Sequence, residues 1–562
     1  MRGHTVCEAW APHQHGEMQT AARRNPPHRR SGATAIAAPE TTTPLEGRVT
    51  ERRTARRGPV LVMGATGYIG SHLLAPLVEA GYSVRAGARD VSRVRTRPEV
   101  EVVRADVADP ELLRQALTGI ETAFYLVHTL AAGSAYPERD RAAARAFAAA
   151  ARDARVRRVV YLGGLGQATG DLSEHLASRQ EVGRLLAEES GLPVIEFRAS
   201  IVIGSGSTSF EMIRNLCEKL PVMTTPRWVR MPAQPIAIDD VIAYLVAAVE
   251  LPLPPQTHHR VYEIGGSDVV SYGTLLSLYS KHRGLARLVI PVPVLSPGLS
   301  GWWLYLFTPK QATVGRQLAE SLRFPTVVTS DDARRDFPAI APVGADEALE
   351  AAFASEDERF ARTRWAEELA NRDVPLQMEL EGRYIDSRCI RARCPAEAAF
   401  DPVACIGGKN GWYAYDTLWD LRGFIDILLG GPGRRRGRRD QYALVEGDHL
   451  DWWVVENLDP PRFLRLRAEM VMPGRGWLQY ELSDAPDGGT TIRQTAIFDA
   501  KGLTGRLYWY AIAPFHHFVF NGTLAGIETR CRQLVEGPNT CPLPGEYERA
   551  LGRRATDERR GR

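Results

Sequence analysis

Hydrophobic positions follow two different periods along this chain. From Pro59 onward, short β-branched runs alternate with stretches in which apolar residues recur every three or four positions. Val60-Leu61-Val62-Met63, Ser83 to Ala88, Val100 to Ala105, Ala123 to His128, Arg158 to Leu162 and Pro193 to Ala199 read as strands. Tyr68 to Glu79 and Pro137 to Ala154 read as helices, with Pro137 at a first helical position, where its missing N–H costs nothing. Strand–helix alternation of this kind predicts an α/β, doubly wound parallel sheet with right-handed crossovers over residues 58–345.

A charged, helical-looking connector (346–375, with Glu356, Asp357, Glu358, Arg359, Arg362 and Arg364) separates this part from a region of period two. There Leu464, Leu466, Ala468 and Met470 alternate with Arg465, Arg467 and Glu469, and Leu478, Tyr480 and Leu482 repeat the pattern. Ile492, Ala496 and Phe498 follow a Gly488-Gly489 turn, and a long apolar helix is predicted from about Leu503 to Val535. Residues 376–544 therefore read as an α+β domain, an antiparallel sheet wrapped on one helix.

Composition narrows the function classes. The 562 residues carry 70 basic and 67 acidic side chains, a formal charge of +3, too nearly neutral for a dedicated nucleic-acid binder. Residues 1–57 hold a local excess of Arg and no sustained apolar period, and read as a disordered basic segment; 545–562 form a polar tail. Arg23-Arg24 and Arg29-Arg30 are followed by no apolar segment before Pro59, so the expected location is cytoplasmic. Seven Cys without a CxxC pair fit free thiols in a reducing compartment. Cys389 and Cys394 lack zinc spacing, and the adjacent His516-His517 point in different directions on a helix, so no metal site is expected.

The chemistry concentrates at Gly64-Ala65-Thr66-Gly67-Tyr68-Ile69-Gly70, between the first strand and the first helix. Glycines there allow a tight turn and a close backbone approach, and the free N–H groups of a helix start meet the charge of a pyrophosphate. A dinucleotide is the expected partner; the other reading is a structural turn in a non-binding sheet.

In this loop the sequence resembles the extended and atypical short-chain dehydrogenases/reductases, especially the branch similar to nitrogen-metabolite-repression regulators, over about residues 58–345. The resemblance implies a Rossmann-type domain in which Asp106, followed by Val107, meets the adenine. It also implies that Phe124 to His128 passes near the nicotinamide ribose, and Arg198 to Gly204 matches the stretch after the sixth strand. Active members carry a Ser at the end of the fifth strand and a Tyr-x-x-x-Lys pair on the next helix. Here the strand runs into Gly163-Gly164, and His175 and Arg179 stand at the Tyr and Lys spacing. His moves protons near neutrality and Arg can hold a ribose; the other reading is a vestigial helix on which both are solvated. Catalytic residues are thus left unassigned.

At the end of the second strand, Arg89 suits a 2′-phosphate, with Arg85 adding positive charge and Asp90 capping the next turn; this favours NADP over NAD. A one-residue shift would instead place Asp90 at the ribose, and a merely solvated Arg89 is the remaining reading.

Residues 376–544 resemble helix-grip, polyketide-cyclase-like domains, which implies an apolar cavity suited to a small molecule. Trp412, Tyr413, Trp419, Trp452, Trp453, Trp477 and Trp509 line it or fill a core. Pro514, His516, His517 and Asn521 interrupt the uncharged stretch 507–527, which reads as a buried helix rather than a membrane span. A loop containing Trp302, Trp303 and Phe307 is the candidate for peripheral membrane contact, and the run Arg434 to Arg439 reads as a solvated loop. The function expected is hydride transfer from NADPH to an apolar carbonyl or enone compound. The alternative is a non-catalytic NADP-binding sensor or assembly factor that has lost Ser, Tyr and Lys.

Overall fold

The computed structural model describes residues 57–94, 97–128, 136–166, 173–225, 227–291, 323–369, 376–486 and 488–536. The expectations for 1–56, for Trp302, Trp303 and Phe307, and for the tail 545–562 lie outside the described residues.

The first sheet has seven parallel strands: β1 (Arg57–Met63), β2 (Tyr82–Ala88), β3 (Glu101–Arg104), β4 (Thr122–Tyr125), β5 (Arg158–Gly164), β6 (Val194–Ala199) and β7 (His259–Ile264). They lie in the order β7-β6-β5-β4-β1-β2-β3, so the winding reverses between β1 and β4. Ligands of such sheets bind outside the strand carboxyl ends at that reversal, because the loops there diverge and leave a crevice. All four residues of β4 are buried, as a strand covered on both faces must be.

The helices named below are α1 (Tyr68–Glu79), α2 (Tyr136–Asp153), α3 (Glu174–Ser190), α4 (Thr208–Lys219), α5 (Tyr272–His282) and α6 (Ala345–Arg362). Ser173 caps α3 by accepting from the Leu176 N–H at 3.2 Å, and Gly191 ends it in the left-handed region at φ 65°. That local chemistry fixes where His175 and Arg179 fall on the helix.

The second sheet is antiparallel throughout: β8 (Leu376–Leu380), β9 (Arg383–Ala392), β10 (His449–Leu450), β11 (Trp453–Asp459), β12 (Phe463–Ala468), β13 (Gly474–Asp484) and β14 (Thr490–Ala500). Its order is β8-β9-β14-β13-β12-β11-β10. A 35-residue helix, here α8 (Gly502–Glu536), packs across β9 and β14, and α7 (Asp416–Leu428) lies beside it. The arrangement is an α+β sheet gripping one long helix.

Polar positions that alternate with the apolar ones of this sheet are enclosed rather than solvated. Arg465, Gln479 and Glu481 are buried, because α6 and the short helix Trp365–Glu368 cover that face. Arg465 bonds Glu456 at 2.7 Å and the Phe360 carbonyl at 3.0 Å, while Glu481 accepts from the Trp365 and Ala366 N–H groups. Buried charges of this kind persist only when paired. The Arg434 to Arg439 run likewise is not a free loop. Arg434 pairs with Asp420, Arg436 with Glu469 and Arg439 with Asp448, while Arg438 bonds the Ile406 and Asp440 carbonyls. The acidic partners Asp448, Asp420 and Glu469 stand 9, 14 and 33 positions away in sequence.

Side chains of the parallel-sheet region and of the second sheet meet in a buried ionic cluster. Arg283, just after α5, makes two bonds to the Asp499 carboxylate of β14 at 2.9 and 2.7 Å and one to Glu218 of α4 at 2.7 Å. Arg214 of α4 holds Glu356 of α6, and Arg359 of α6 bridges Ser205 and Glu381.

Candidate active site

The glycine loop sits at the carboxyl end of β1, and its glycines do three different things. Gly64 has φ +94°, and a Cβ there would come within 2.7 Å of the Leu126 carbonyl oxygen, so only glycine fits. A Cβ on Gly70 would meet the Gly64 carbonyl oxygen at 2.3 Å; this glycine lets α1 lie close against the loop. Gly67 is exposed, has an ordinary φ of −76° and opens α1 with no side-chain cap and no acidic residue in the first turn. Its missing side chain keeps the free N–H groups of the helix start open to an anion.

Ala65 is buried, Thr66 is exposed and Ile69 packs on the core. Tyr68 turns its ring toward the Gly204 turn, where a Cβ on Gly204 would lie 2.2 Å from the phenol oxygen. That hydroxyl is buried without a partner, and burial followed by the nearby Asp239 carboxylate keeps it firmly protonated.

Arg89 follows the last residue of β2, is exposed, and makes no hydrogen bond or ion pair with a described residue. Asp90 caps the turn Val91–Arg93, accepting from the Ser92 N–H at 3.1 Å and from its hydroxyl at 2.6 Å; these bonds hold its carboxyl below the usual range. Arg85 does not add charge at this spot. Its guanidinium is bound to Glu101 at 2.8 Å and to the Ala116 and Thr118 carbonyls, at the end of a neighbouring helix. The Ala105 N–H donates to the Ala88 carbonyl at 2.9 Å, setting Asp106 beside the end of β2. Asp106 is anchored there by the Ala108 N–H at 3.0 Å, and Val107 is half-buried against the core. The residues present thus fit a dinucleotide: an open helix start, a guanidinium with no partner among the described residues and a carboxylate follow the carboxyl ends of β1, β2 and β3.

A pocket of about 190 Å³ opens where β5 and β6 end, bounded by Gly163, Gly164, His175, Arg179, Ser200 and Thr326 among others. His175 and Arg179, one helical turn apart, both line it, so they are not solvated surface residues. The Arg179 guanidinium donates to the Leu162 carbonyl and lies 5.0 Å from the centre of the Tyr161 ring. Its Nη1 and the His175 Nδ1 are buried without partners. Burial, then the charge of Arg179 and the neighbouring His128, push the His175 imidazole down to about 4. At neutral pH the ring is therefore uncharged, which corrects the expectation of proton transfer near neutrality. A neutral N–H polarises a carbonyl by hydrogen bonding instead.

A Ser at the end of β5 would require neighbouring side chains to shift. A Cβ on Gly164 would approach Leu176 to 2.8 Å, and one on Gly163 would lie 3.1 Å from the buried Glu196 carboxylate. Sequence reasoning missed Ser200 and Thr326, whose hydroxyls bond each other at 2.7 Å in this pocket. Ser200 lies within the quoted stretch Arg198 to Gly204, but Thr326 is 126 positions away and carries no local signal.

The C-terminal domain holds a second cavity of about 300 Å³ between the sheet, α7 and α8, walled by Trp419, Trp453, Trp477, Trp509, Phe498 and other apolar side chains. Trp412 and Trp452 are instead wholly buried core. No group of three or more His, Cys, Asp or Glu among the described residues is placed to hold a metal ion. None of the described helices is long and apolar enough to cross a membrane.

The comparisons with known proteins agree with this geometry. Residues 64–190 match the family described as NAD(P)H-binding, and residues 381–523 match a family described as protein of unknown function (DUF2867). The (4-alkanoyl-5-oxo-2,5-dihydrofuran-3-yl)methyl phosphate reductase of Streptomyces griseus is 32% identical over 222 residues, 38% of this chain and 69% of that enzyme. The ceramide reductase of Caulobacter vibrioides is 30% identical over 209 residues, 36% of this chain and 63% of that one. A dihydroflavonol 4-reductase of Hordeum vulgare is 33% identical over 94 residues, 15% of this chain, and the match spans only 27% of that enzyme's length. Among solved structures, the triphenylmethane reductase of Citrobacter sp. complexed with NADP(H) is 18% identical with a TM-score of 0.42, covering 52% of this chain and 99% of that one. The chain belongs to the NAD(P)H-binding family of reductase-like short-chain dehydrogenase/reductase proteins, fused to a C-terminal domain of the second family.

Proposed function

We propose that this protein is an NADP-preferring reductase acting on a neutral, apolar carbonyl or enone compound in the pocket of His175 and Arg179. The observation that carries the reading is that both side chains project an unpartnered, buried nitrogen beside one pocket at the sheet's carboxyl edge. The open start of α1 would hold the pyrophosphate, Asp106 the adenine, Arg89 the 2′-phosphate and Arg179 a ribose hydroxyl. NADPH, when bound, would supply a hydride to the carbonyl carbon of a ketone or the β-carbon of an enone, and water would supply the proton that completes the alcohol or the saturated ketone. His175 orients and polarises the carbonyl oxygen through its neutral imidazole, and the apolar wall around it excludes bulk water. The named relatives are reductases, which does not favour the sensor or assembly-factor alternative. The aromatic cavity of the C-terminal domain takes an apolar molecule.

NADPH oxidation with a panel of neutral ketones and enones tests the reading. His175→Phe is expected to lower kcat/KM about a hundredfold with NADPH affinity held within twofold. Since the imidazole titrates near 4, the wild-type rate is expected to stay level from about pH 6 to about pH 8. Tight NADPH binding without turnover of any compound in the panel would remove the reductase assignment.

The cofactor preference has its own check. Arg89→Ala is expected to weaken NADPH binding about tenfold or more, by loss of a charge-assisted contact, while NADH affinity changes less than twofold. An unchanged NADPH/NADH ratio on titration means that Arg89 does not read the phosphate.

A further inference from the structure

The wall of the C-terminal cavity is hydrocarbon and indole almost throughout, and one ionisable ring stands out in it. His516 of α8 lies in that wall, T-shaped against Trp509 with centroids 5.1 Å apart and tilted on Phe520 at 4.4 Å. Neither of its ring nitrogens hydrogen-bonds a described residue, and Nδ1 is fully buried. The one charged oxygen within 4 Å of it among the described residues belongs to Asp386, 3.8 Å from Nδ1, too long for a hydrogen bond.

Asp386 is itself buried and fully engaged. Arg388 donates two bonds to it at 2.9 and 3.0 Å, and Gln377 a third at 2.8 Å. The carboxylate therefore acts on His516 by its field rather than by a bond, and that field favours the tautomer with hydrogen on Nδ1. Nε2 is left as an acceptor. Burial pushes the imidazole down to about 4, with Asp386 opposing and Arg388 adding to the shift, so the ring carries no charge at neutral pH.

Nε2 has no acceptor role to play toward any described residue, so an occupant of the cavity that supplies a donor finds it unused. The cationic side chain lining the cavity, Arg422, is already bound to the Val471 carbonyl at 2.9 Å and to Asp426. A carboxylate would thus find no free cation and would face Asp386. Two buried indole N–H groups of the same wall, those of Trp419 and Trp453, also lack partners and suit an oxygen that accepts as well as donates. Leu421, Ile425 and Phe515 belong both to the wall and to the exposed surface, so the cavity opens through an apolar rim.

We infer that this cavity is a binding site for a neutral, largely hydrocarbon alcohol, whose hydroxyl donates to His516. The inference rests on the reading that the cavity takes an apolar molecule, and adds the function it recognises. An alcohol is also the product class of carbonyl reduction at the first site, so the second domain would retain the product type rather than the substrate type.

Three matched neutral probes test it: 1-(2-naphthyl)ethanol, 2-acetonaphthone and 2-ethylnaphthalene, titrated against the full chain by calorimetry. The alcohol is expected to bind about tenfold tighter than the hydrocarbon, the worth of one buried neutral hydrogen bond. His516→Phe is expected to reduce that advantage to twofold or less while leaving 2-ethylnaphthalene within twofold. Ile512→Trp, which fills the cavity from α8, is expected to weaken all three probes at least tenfold, with unchanged NADPH affinity and near-UV dichroism showing that the fold persists. An alcohol advantage that survives His516→Phe, a ketone bound as tightly as the alcohol, or no advantage in the wild type overturns the assignment. Failure of 2-ethylnaphthalene itself to bind overturns the cavity reading beneath it.

Discussion

Arg283→Met is expected to lower the stability of the protein by about 3 kcal/mol or more, read as a lower midpoint in urea unfolding with an unchanged slope. The reason is desolvation. Glu218 and Asp499 are both buried, and Arg283 satisfies one from α4 and the other from β14. Removing the cation leaves Glu218 with the Tyr279 hydroxyl and the Gly502 N–H, two neutral donors for a full charge. Asp499 keeps Arg475, but that guanidinium is shared with Asp357 and is half-exposed.

The pH dependence distinguishes this cause from lost packing. Burial alone would raise the Asp499 carboxyl, yet the charge and bonds of Arg283 outweigh it and hold the group well below the usual carboxylate range. A carboxylate depressed in the folded state contributes stability that is present above its unfolded value, near 4, and is lost as pH falls through the folded value. In Arg283→Met the Asp499 group rises, protonates earlier, and relieves part of the penalty. The gap between wild type and variant should therefore narrow as pH falls toward about 4. A loss below about 1 kcal/mol, or a gap that widens on acidification, would show that the pair does not hold the two sheets together in solution.

Gly67→Val is expected to weaken nucleotide binding at least a hundredfold with little loss of stability. At Gly67 the backbone has an ordinary φ, and a Cβ would come only to 3.2 Å from the Gly64 carbonyl oxygen, a contact relieved by a few tenths of an ångström. The branched side chain would stand over the free N–H groups of α1, where a pyrophosphate must come within hydrogen-bond distance. Gly70→Val supplies the contrast. Its Cβ would overlap the Gly64 carbonyl oxygen at 2.3 Å, backbone against backbone, so this variant is expected to lose stability as well as binding. Calorimetric titration with NADPH and NADH, beside unfolding midpoints for both variants, separates the two roles. Wild-type affinity in Gly67→Val would reduce the loop to a turn.

Much of this was legible in the order of residues. Strand and helix periods along 58–345 fixed an alternating α/β sheet, because each crossover helix buries one stripe and each central strand both faces. The glycine loop and its place between β1 and α1 follow from that order, and so does the cap at Asp90, since an Asp at a strand end finds its partners two residues away. Even the missing Ser of β5 could be read directly, as Gly163-Gly164.

What local pattern does not contain is who stands across from whom. Arg85 in the middle of β2 and Arg89 just beyond its end carry the same side chain; only the fold binds the first to Glu101 and two carbonyls and leaves the second without a partner among the described residues. His175 and Arg179 read equally as solvated or enclosed until α3 is laid along β5, when the low-dielectric pocket removes the proton that neutrality would otherwise allow. Polar positions of the second sheet alternate with apolar ones, and α6 encloses them; the long helix reads as buried, yet leaves Leu507, Phe515 and Phe518 outside. Periodicity reports how many faces an element covers, a property of neighbours in sequence. Pairing of charges, enclosure and the pKa values that follow depend on contacts between residues a hundred or more positions apart, such as Glu218 and Gly502 or Ser200 and Thr326, and these exist only once the tertiary structure has formed.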